Sequence, residues 1–400
     1  MTPPRENSYR GLYAYAWDLA DHAPEAFAAE LRRLSLDTLC LAASYHAGKF
    51  IRPHGKGPRV VFPEDGTVYF AARPERYGAI KPLRASIVDQ AGDLFATYAA
   101  RPDIALTAWT VVLHNTRAGL AHPSCTARNC FGDPYRYSLC PANPEVRDYA
   151  TALCADIADR YPVRGLVLET VGWMPYRHGY HHEFALIGEN PWLDTMLGLC
   201  FCEHCVAGAT RAGIDAAGLR ARVATRIDAY LTAAQEAPPT IAARWVERDL
   251  VADAELAAFL RWRCTVVTSL VARIREAVRH DAELFVIPSV QRPAAACWIE
   301  GADLAALARA ADGLEICFYY ADAPSAVADL ADIRRRVGTD ARIRAVLRPG
   351  PPDASDEAGF TRTLTSLASA GVDGFGFYNY GHVRAANLEW IGRALRSGEG

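Results

Sequence analysis

Eight short apolar runs with the character of β-strands, most of them followed by helix-like sequence, recur from one end of this chain to the other. They are GLYAYAW (11–17), DTLCLAAS (37–44), ALTAWTVVL (105–113), VRGLVLE (163–169), ELFVIPS (283–289), GLEICFYY (313–320), RIRAVL (342–347) and DGFGFYN (373–379). Continuous rather than alternating apolar character suits parallel strands buried on both faces. Helix-like tracts fall between them, from Pro24 to about Leu34, at about 79–100, at 144–161, at about 219–236 and 253–280, then near 303–311, 325–337, 356–370 and 385–396. Eight such units in one chain predict an α/β fold, the (β/α)8 TIM barrel. A doubly wound open sheet is the competing arrangement. For a dinucleotide it would need a glycine-rich turn after its first strand, and Trp17-Asp18-Leu19-Ala20 stands there instead. With no low-complexity linker in sight, residues 1–400 are expected to form a single barrel domain. Insertions at about 47–78, 116–140 and 171–218 would decorate its loops.

A formal net charge of −3 supplies no basic stripe for nucleic acid or for an anionic membrane, so neither partner is expected. The opening MTPPRENSYR has no apolar core of a secretory signal, and no apolar run approaches the ~20 residues that span a bilayer. A cytoplasmic location is the expectation. In that compartment 11 cysteines, an odd number, point to buried thiols and a metal site rather than to disulfides. Homo-oligomerisation is left open.

In a barrel, the residues at the C-terminal ends of the strands face the active site. Here those ends supply Trp17, Asp18, Tyr45, His46, His114, Asn115, Glu169, Ser289, Gln291, Tyr319, Tyr320, Asp322, Arg348, Tyr378, Asn379 and Tyr380. Aromatic rings mixed with carboxylate, amide, imidazole and guanidinium groups suit a carbohydrate. The rings stack on sugar C–H faces, and the polar groups satisfy hydroxyls that would otherwise be buried unpaired. Glu169 is the sharpest candidate, because it ends a run otherwise short of charge. Apolar surroundings raise a carboxyl pKa towards what a general acid needs. The structural alternative is a carboxylate paired with Arg344 or Arg348.

The segment LCFCEHC places Cys200, Cys202 and Cys205 within six residues. Three thiols so spaced can wrap one tetrahedral ion, given a fourth ligand from Cys140, Cys125, Cys130 or His204. A closed site of that kind would pin loops and leave no open position for substrate. The stretch HGYHHE offers His178, His181, His182 and Glu183, at a spacing that matches no ligand pattern.

These residues resemble the family 42 glycoside hydrolases, β-galactosidases with catalytic acids on strands four and seven of a barrel. Cys200-Phe201-Cys202-Glu203-His204-Cys205 is similar to that family's zinc loop. Leu139-Cys140-Pro141-Ala142-Asn143-Pro144 is similar to the segment that supplies its fourth zinc cysteine, and Glu169 falls where its acid/base glutamate stands. The resemblance covers roughly 135–206. It implies a structural zinc held by Cys140, Cys200, Cys202 and Cys205, with Glu169 as acid/base. The chain departs from the family in having Leu168 where an Asn precedes the acid, a longer gap from Glu169 to Cys200, and Arg348 instead of an acid after strand seven. A second carboxylate would then be Asp18, Glu315 or Asp322.

The expected activity is cleavage of a glycosidic bond, with Glu169 protonating the leaving oxygen. Tyr45, Trp173, Tyr319, Tyr378 and Tyr380, with Trp17 and Arg348, would shape the sugar subsites. His46, His114, Asn115 and Asn379 would bind hydroxyls. Two other readings compete. One is a non-catalytic sugar-binding barrel, favoured by the missing strand-seven acid. The other is a metal-dependent isomerase, epimerase or lyase using His46, His114 and Glu169.

Overall fold

The protein is described from a computed structural model that covers residues 9–178 and 186–397. Eight strands, β1 (Tyr9–Ala14), β2 (Thr38–Tyr45), β3 (Ala105–Val111), β4 (Gly165–Glu169), β5 (Glu283–Val286), β6 (Gly313–Cys317), β7 (Ile343–Leu347) and β8 (Gly374–Phe377), pair in chain order. Every one of these pairings is parallel, and β1 bonds both to β2 and to β8, so the sheet closes on itself. The chain is a (β/α)8 barrel, as the spacing of its apolar runs predicts.

The barrel interior holds one charged layer. Tyr13 donates to Glu315, and Arg344 lies 3.7 Å from the same carboxylate, all three being fully buried. The Arg344 guanidinium also stacks 3.9 Å from the Tyr9 ring and 3.5 Å from the Phe285 ring. A buried charge persists only when it is paired in this way. Glu315 is therefore bound within the barrel, and it does not line the cleft described below.

Helix starts follow the capping rule that Asn and Asp accept from the first free backbone N–H groups. Asn115, Asn143, Asn190, Asp253, Asp322 and Asp356 each do so. The same chemistry accounts for departures from the expected elements. The predicted helix at 79–100 is two short ones, Ser86–Ala91 and Leu94–Ala99, because Gly92 (φ +80°) ends the first and Asp93 caps the second. Sequence reading also leaves out the helix Pro239–Ala252, which opens with a proline in its first turn, where the missing N–H costs nothing. The first strand stops at Ala14, and Trp17 and Asp18 lie in a helical turn, Ala16–Leu19, rather than on the strand. Among the described residues, no helix is long and apolar enough to cross a membrane.

Candidate active site and metal centre

Two adjoining cavities of about 310 and 290 Å³ open at the C-terminal mouth of the barrel. Glu169, His46, His178 and Arg292 line both, so they are two lobes of one cleft with Glu169 at the junction. Glu169 is the last residue of β4. The ladder pairs Val167 with Trp109 on β3, which leaves Glu169, two residues on, projecting from the same face beside the indole. Trp109 Nε1 donates to Glu169 Oε2 at 2.6 Å. Burial pushes the Glu169 carboxyl up to about 7, and the indole N–H holds it from rising further.

The first lobe contains a second carboxyl, Glu300, which sequence reading does not single out. Glu300 ends a 3-10 segment, Ala294–Glu300, between β5 and the following helix, and is 7% exposed. Ser289 Oγ donates to its Oε1 at 2.5 Å, and Trp173 N donates to its carbonyl at 3.0 Å. That approach needs Gly172, where a Cβ would lie 2.0 Å from the Glu300 carbonyl oxygen. Burial pushes Glu300 up to about 8, opposed by the Ser289 bond and assisted by the charge of Glu169. The available signal is an acid followed by a positive-φ glycine, Gly301 (φ +79°), inside the apolar stretch AAACWIEGADL. It is visible only once the loop after β5 is known to fold back over the mouth.

The second lobe is aromatic. Tyr13, Tyr45, Tyr319 and Tyr378 line it together with Arg292 and Arg348. Arg348 sits 4.1 Å from the Tyr319 ring centre and is gripped by Asp353 through Nε and through Nη2 (2.7 Å). In the first lobe the His46 and His114 rings stack 4.0 Å apart, with an angle of 18° between their planes.

Other predicted positions lie elsewhere. Asn115 caps the helix Thr116–Ala121 and donates to the Gly66 carbonyl, outside the cleft. Asp18 is fully buried against Arg52 (3.0 Å), and burial pushes its carboxyl up to about 6, opposed by that arginine. Asp322 is exposed and caps the helix Ala323–Val337 by accepting from Ser325 N. Trp17 stacks 4.3 Å from Tyr15, and Tyr380 binds His22 through its hydroxyl at 3.0 Å. Asn379 is fully buried and accepts from Gly381 N. Trp173 is buried under the guanidinium of Arg263, 4.6 Å away. None of these eight residues, Glu315 included, lines the two lobes. His178 lines both, whereas His181, His182 and Glu183 lie outside the described residues.

Cys140, Cys200, Cys202 and Cys205 converge, their four sulfurs lying within 4.8 Å of one another and all buried. Cys140 follows the short strand Pro134–Leu139, Cys202 immediately precedes the helix Glu203–Arg211, and Cys205 is in its first turn. Cys125 instead contacts Glu145, and the partly exposed His204 contacts Glu203, so neither is the fourth member. Sulfur separations from Cys140 are 3.4 Å to Cys205, 3.5 Å to Cys202 and 4.0 Å to Cys200. Four thiolates at ~2.3 Å from a tetrahedral ion stand about 3.8 Å apart, so the set fits a metal ion. A divalent ion with four thiolates also leaves negative charge to balance, and a buried cation stands beside it. Arg263 is 1% exposed, has no carboxylate partner among the described residues, and donates to the carbonyl of Gly198 (3.3 Å) just ahead of Cys200. Its Nε has no hydrogen-bond partner among the described residues. This cysteine set is the only one among the described residues with ligand atoms close enough for one ion.

No protein-family model matches the chain, and no curated protein is similar enough in sequence to count as a relative. Several solved structures share this fold. The glycoside hydrolase domain of PgaB (BpsB) from Bordetella bronchiseptica superposes with a TM-score of 0.56 at 14% identity, over 98% of this chain and 99% of that one. Alpha-L-fucosidase isoenzyme 2 from Paenibacillus thiaminolyticus gives 0.55 at 13% identity, over 98% of this chain and 49% of that one. The beta-galactosidase of the psychrophilic Marinomonas ef1 gives 0.55 at 13%, over 97% of this chain and 59% of that one. The chain thus spans about half the length of the fucosidase. At such identities the likeness is one of fold.

Proposed function

We propose that this chain is a glycoside hydrolase, a divergent relative of the family 42 barrels, in which Glu169 protonates the glycosidic oxygen. The observation that carries the reading is the position of Glu169, a strand-end carboxyl pushed up to about 7 where an aromatic lobe and an acidic lobe meet. From that junction it can reach an oxygen bridging a sugar in each lobe, which Glu300, lining one lobe only, cannot. Glu300 is the second carboxyl, acting as nucleophile or as base for water.

Both groups titrate near neutrality, Glu169 at about 7 and Glu300 at about 8, and the charge of Glu169 opposes ionisation of Glu300. Such a pair releases its protons in two steps. The productive form is the singly protonated one that carries its proton on Glu169, the minority arrangement because Glu169 ionises before Glu300. The kcat/KM profile is therefore a bell with its maximum between about 7 and about 8.

The four cysteines would hold zinc, as a closed structural ion that ties the segment after β4 to the strand Pro134–Leu139. Arg263 then serves as its buried counter-charge and props Trp173 from below, and Trp173 in turn holds the Glu300 carbonyl.

The test is turnover of aryl glycosides, both anomers of a panel of sugars, by wild type and by Glu169→Gln. Turnover that falls by about 10²-fold or more in the variant, while both bind substrate, fits the loss of a general acid. Turnover indifferent to Glu169 would sink the mechanism. One observation favours a second reading: β7 leads into Arg348 bound to Asp353, where the resembled family places its nucleophile. Sugar binding without any turnover would identify a binding barrel instead.

A further inference from the structure

We propose that the aromatic lobe of the cleft takes an anionic substituent of the sugar, a carboxylate or a sulfate ester, between Arg292 and Arg348. The inference rests on the carbohydrate reading of the cleft but not on catalysis by Glu169.

The two guanidinium groups lie around one ring, their carbons 5.5 and 4.1 Å from the centre of Tyr319. Asp353 holds Arg348 by Nε and Nη2, which fixes the plane of the group and leaves Nη1 with no acceptor among the described residues. Arg292 donates through Nη1 to its own loop, at the Val290 carbonyl (3.1 Å), and has no carboxylate partner among the described residues. Guanidinium groups donate and never accept, so a pair of them is poorly matched to a neutral sugar, whose hydroxyls also need acceptors. The one carboxyl among the lobe's lining residues is Glu169, which like Arg292 also lines the acidic lobe. Planar forks with surplus donors match an oxyanion with two or three acceptor oxygens.

The division of charge across the cleft points the same way. Glu169 and Glu300 both line the first lobe, beside Arg177 and Arg292. An anion there would meet two carboxyls as well as two guanidinium groups, whereas the tyrosine lobe sets Arg292 and Arg348 against Glu169 alone. Moving the anionic group to the tyrosine lobe places it beside the arginines and keeps it away from Glu300. The ring of Tyr378, with no guanidinium over it among the described residues, is left to the sugar face. The stack of Arg348 on Tyr319 also limits the side-chain freedom that would be lost on binding.

The experiment is calorimetric binding to wild type and to the Glu169→Gln variant at low and high salt. The probes are p-nitrophenyl glycosides of glucose and galactose, of glucuronic and galacturonic acid, and of glucose and galactose 6-sulfate, both anomers of each. An anionic member should bind about tenfold tighter than its neutral parent, equivalent to about 1.4 kcal/mol. The preference should shrink at high salt and disappear in Arg292→Gln, an exposed substitution that leaves the Asp353 pair untouched. The uronate and sulfate arms separate the two sources of the anion. Equal binding of neutral and anionic sugars, or a preference unchanged in Arg292→Gln, overturns the proposal. Anion-selective binding with no turnover of any probe would keep this inference and remove the hydrolase mechanism. Turnover of neutral glycosides without anion selectivity would do the reverse.

Discussion

Replacing Glu169 by Gln should stabilise the fold, and by an amount that depends on pH. The carboxyl titrates at about 7 in the folded protein against an ordinary value of 4.5, because burial disfavours its charge. Between those two values the folded state holds a proton that the unfolded state has released. Stability therefore falls as pH rises through that window and levels off above about 7. Each pH unit of separation is worth about 1.36 kcal/mol, so full ionisation costs about 3 kcal/mol, of which less than about 1 is already felt at pH 5. Solvent reaching the cleft reduces the difference between pH 5 and pH 8 to about 2 kcal/mol. A glutamine keeps an oxygen for the Trp109 N–H and has no charge to bury, so the variant lacks this loss. Glu300 titrates in both proteins and largely cancels in the comparison. Urea midpoints of wild type and Glu169→Gln, measured at pH 5 and pH 8, give the result directly. The gap in favour of the variant should widen by about 2 kcal/mol towards pH 8. A gap that does not change with pH would refute the claim that Glu169 is held neutral by its surroundings. The test needs no substrate.

Two other outcomes follow from the same contacts. Purified protein should carry about one metal ion per chain, and Cys205→Ser should lose it together with several degrees of Tm; a metal-free wild type of unchanged Tm would show the cysteines to be plain core thiols. Trp109→Phe removes the donor to a carboxylate, a bond worth about 1.5–3 kcal/mol, and should raise the pKa of Glu169 by about 1–2 pH units. The acidic limb of kcat/KM then moves to higher pH, and an unmoved limb would mean that the indole N–H does not hold the charge.

The barrel was legible because the property that builds it is carried by the strands themselves. Runs such as GLVLE and IRAVL are apolar on both faces, and their count and spacing suffice for closure without knowledge of any loop. The four cysteines were legible for a related reason. Three of them are close in sequence, and the fourth precedes a helix capped by Asn143, so local structure constrains both halves of the set. Glu169 came into view because it is the last residue of a strand, and strand ends point at the mouth. Errors gathered where a polar residue follows a strand but precedes a helix.

Asp322 and Asn115 make the physical reason plain. Each stands just beyond an apolar run, as a site residue would, and each turns its side-chain oxygen back onto the first free N–H groups of the next helix. In a βα unit the strand end and the helix cap are only a few residues apart, and the same residue types serve both purposes. A side chain that caps cannot also face the cleft, so proximity to a following helix counts against a strand-end Asp or Asn. Glu169 is free of that conflict. It is followed by Thr170 at φ +55° and then by a long insertion, and among the described residues the next helix is Pro191–Leu197. Glu300 shows the opposite failure. It belongs to no strand end, and it reaches the cleft because the loop after β5 doubles back against Gly172, an approach set by tertiary contact and not by any period in the sequence. A search for the second carboxyl along strand ends alone passes it by. A search for acids flanked by a positive-φ glycine in the long loops after β4 and β5 would reach it.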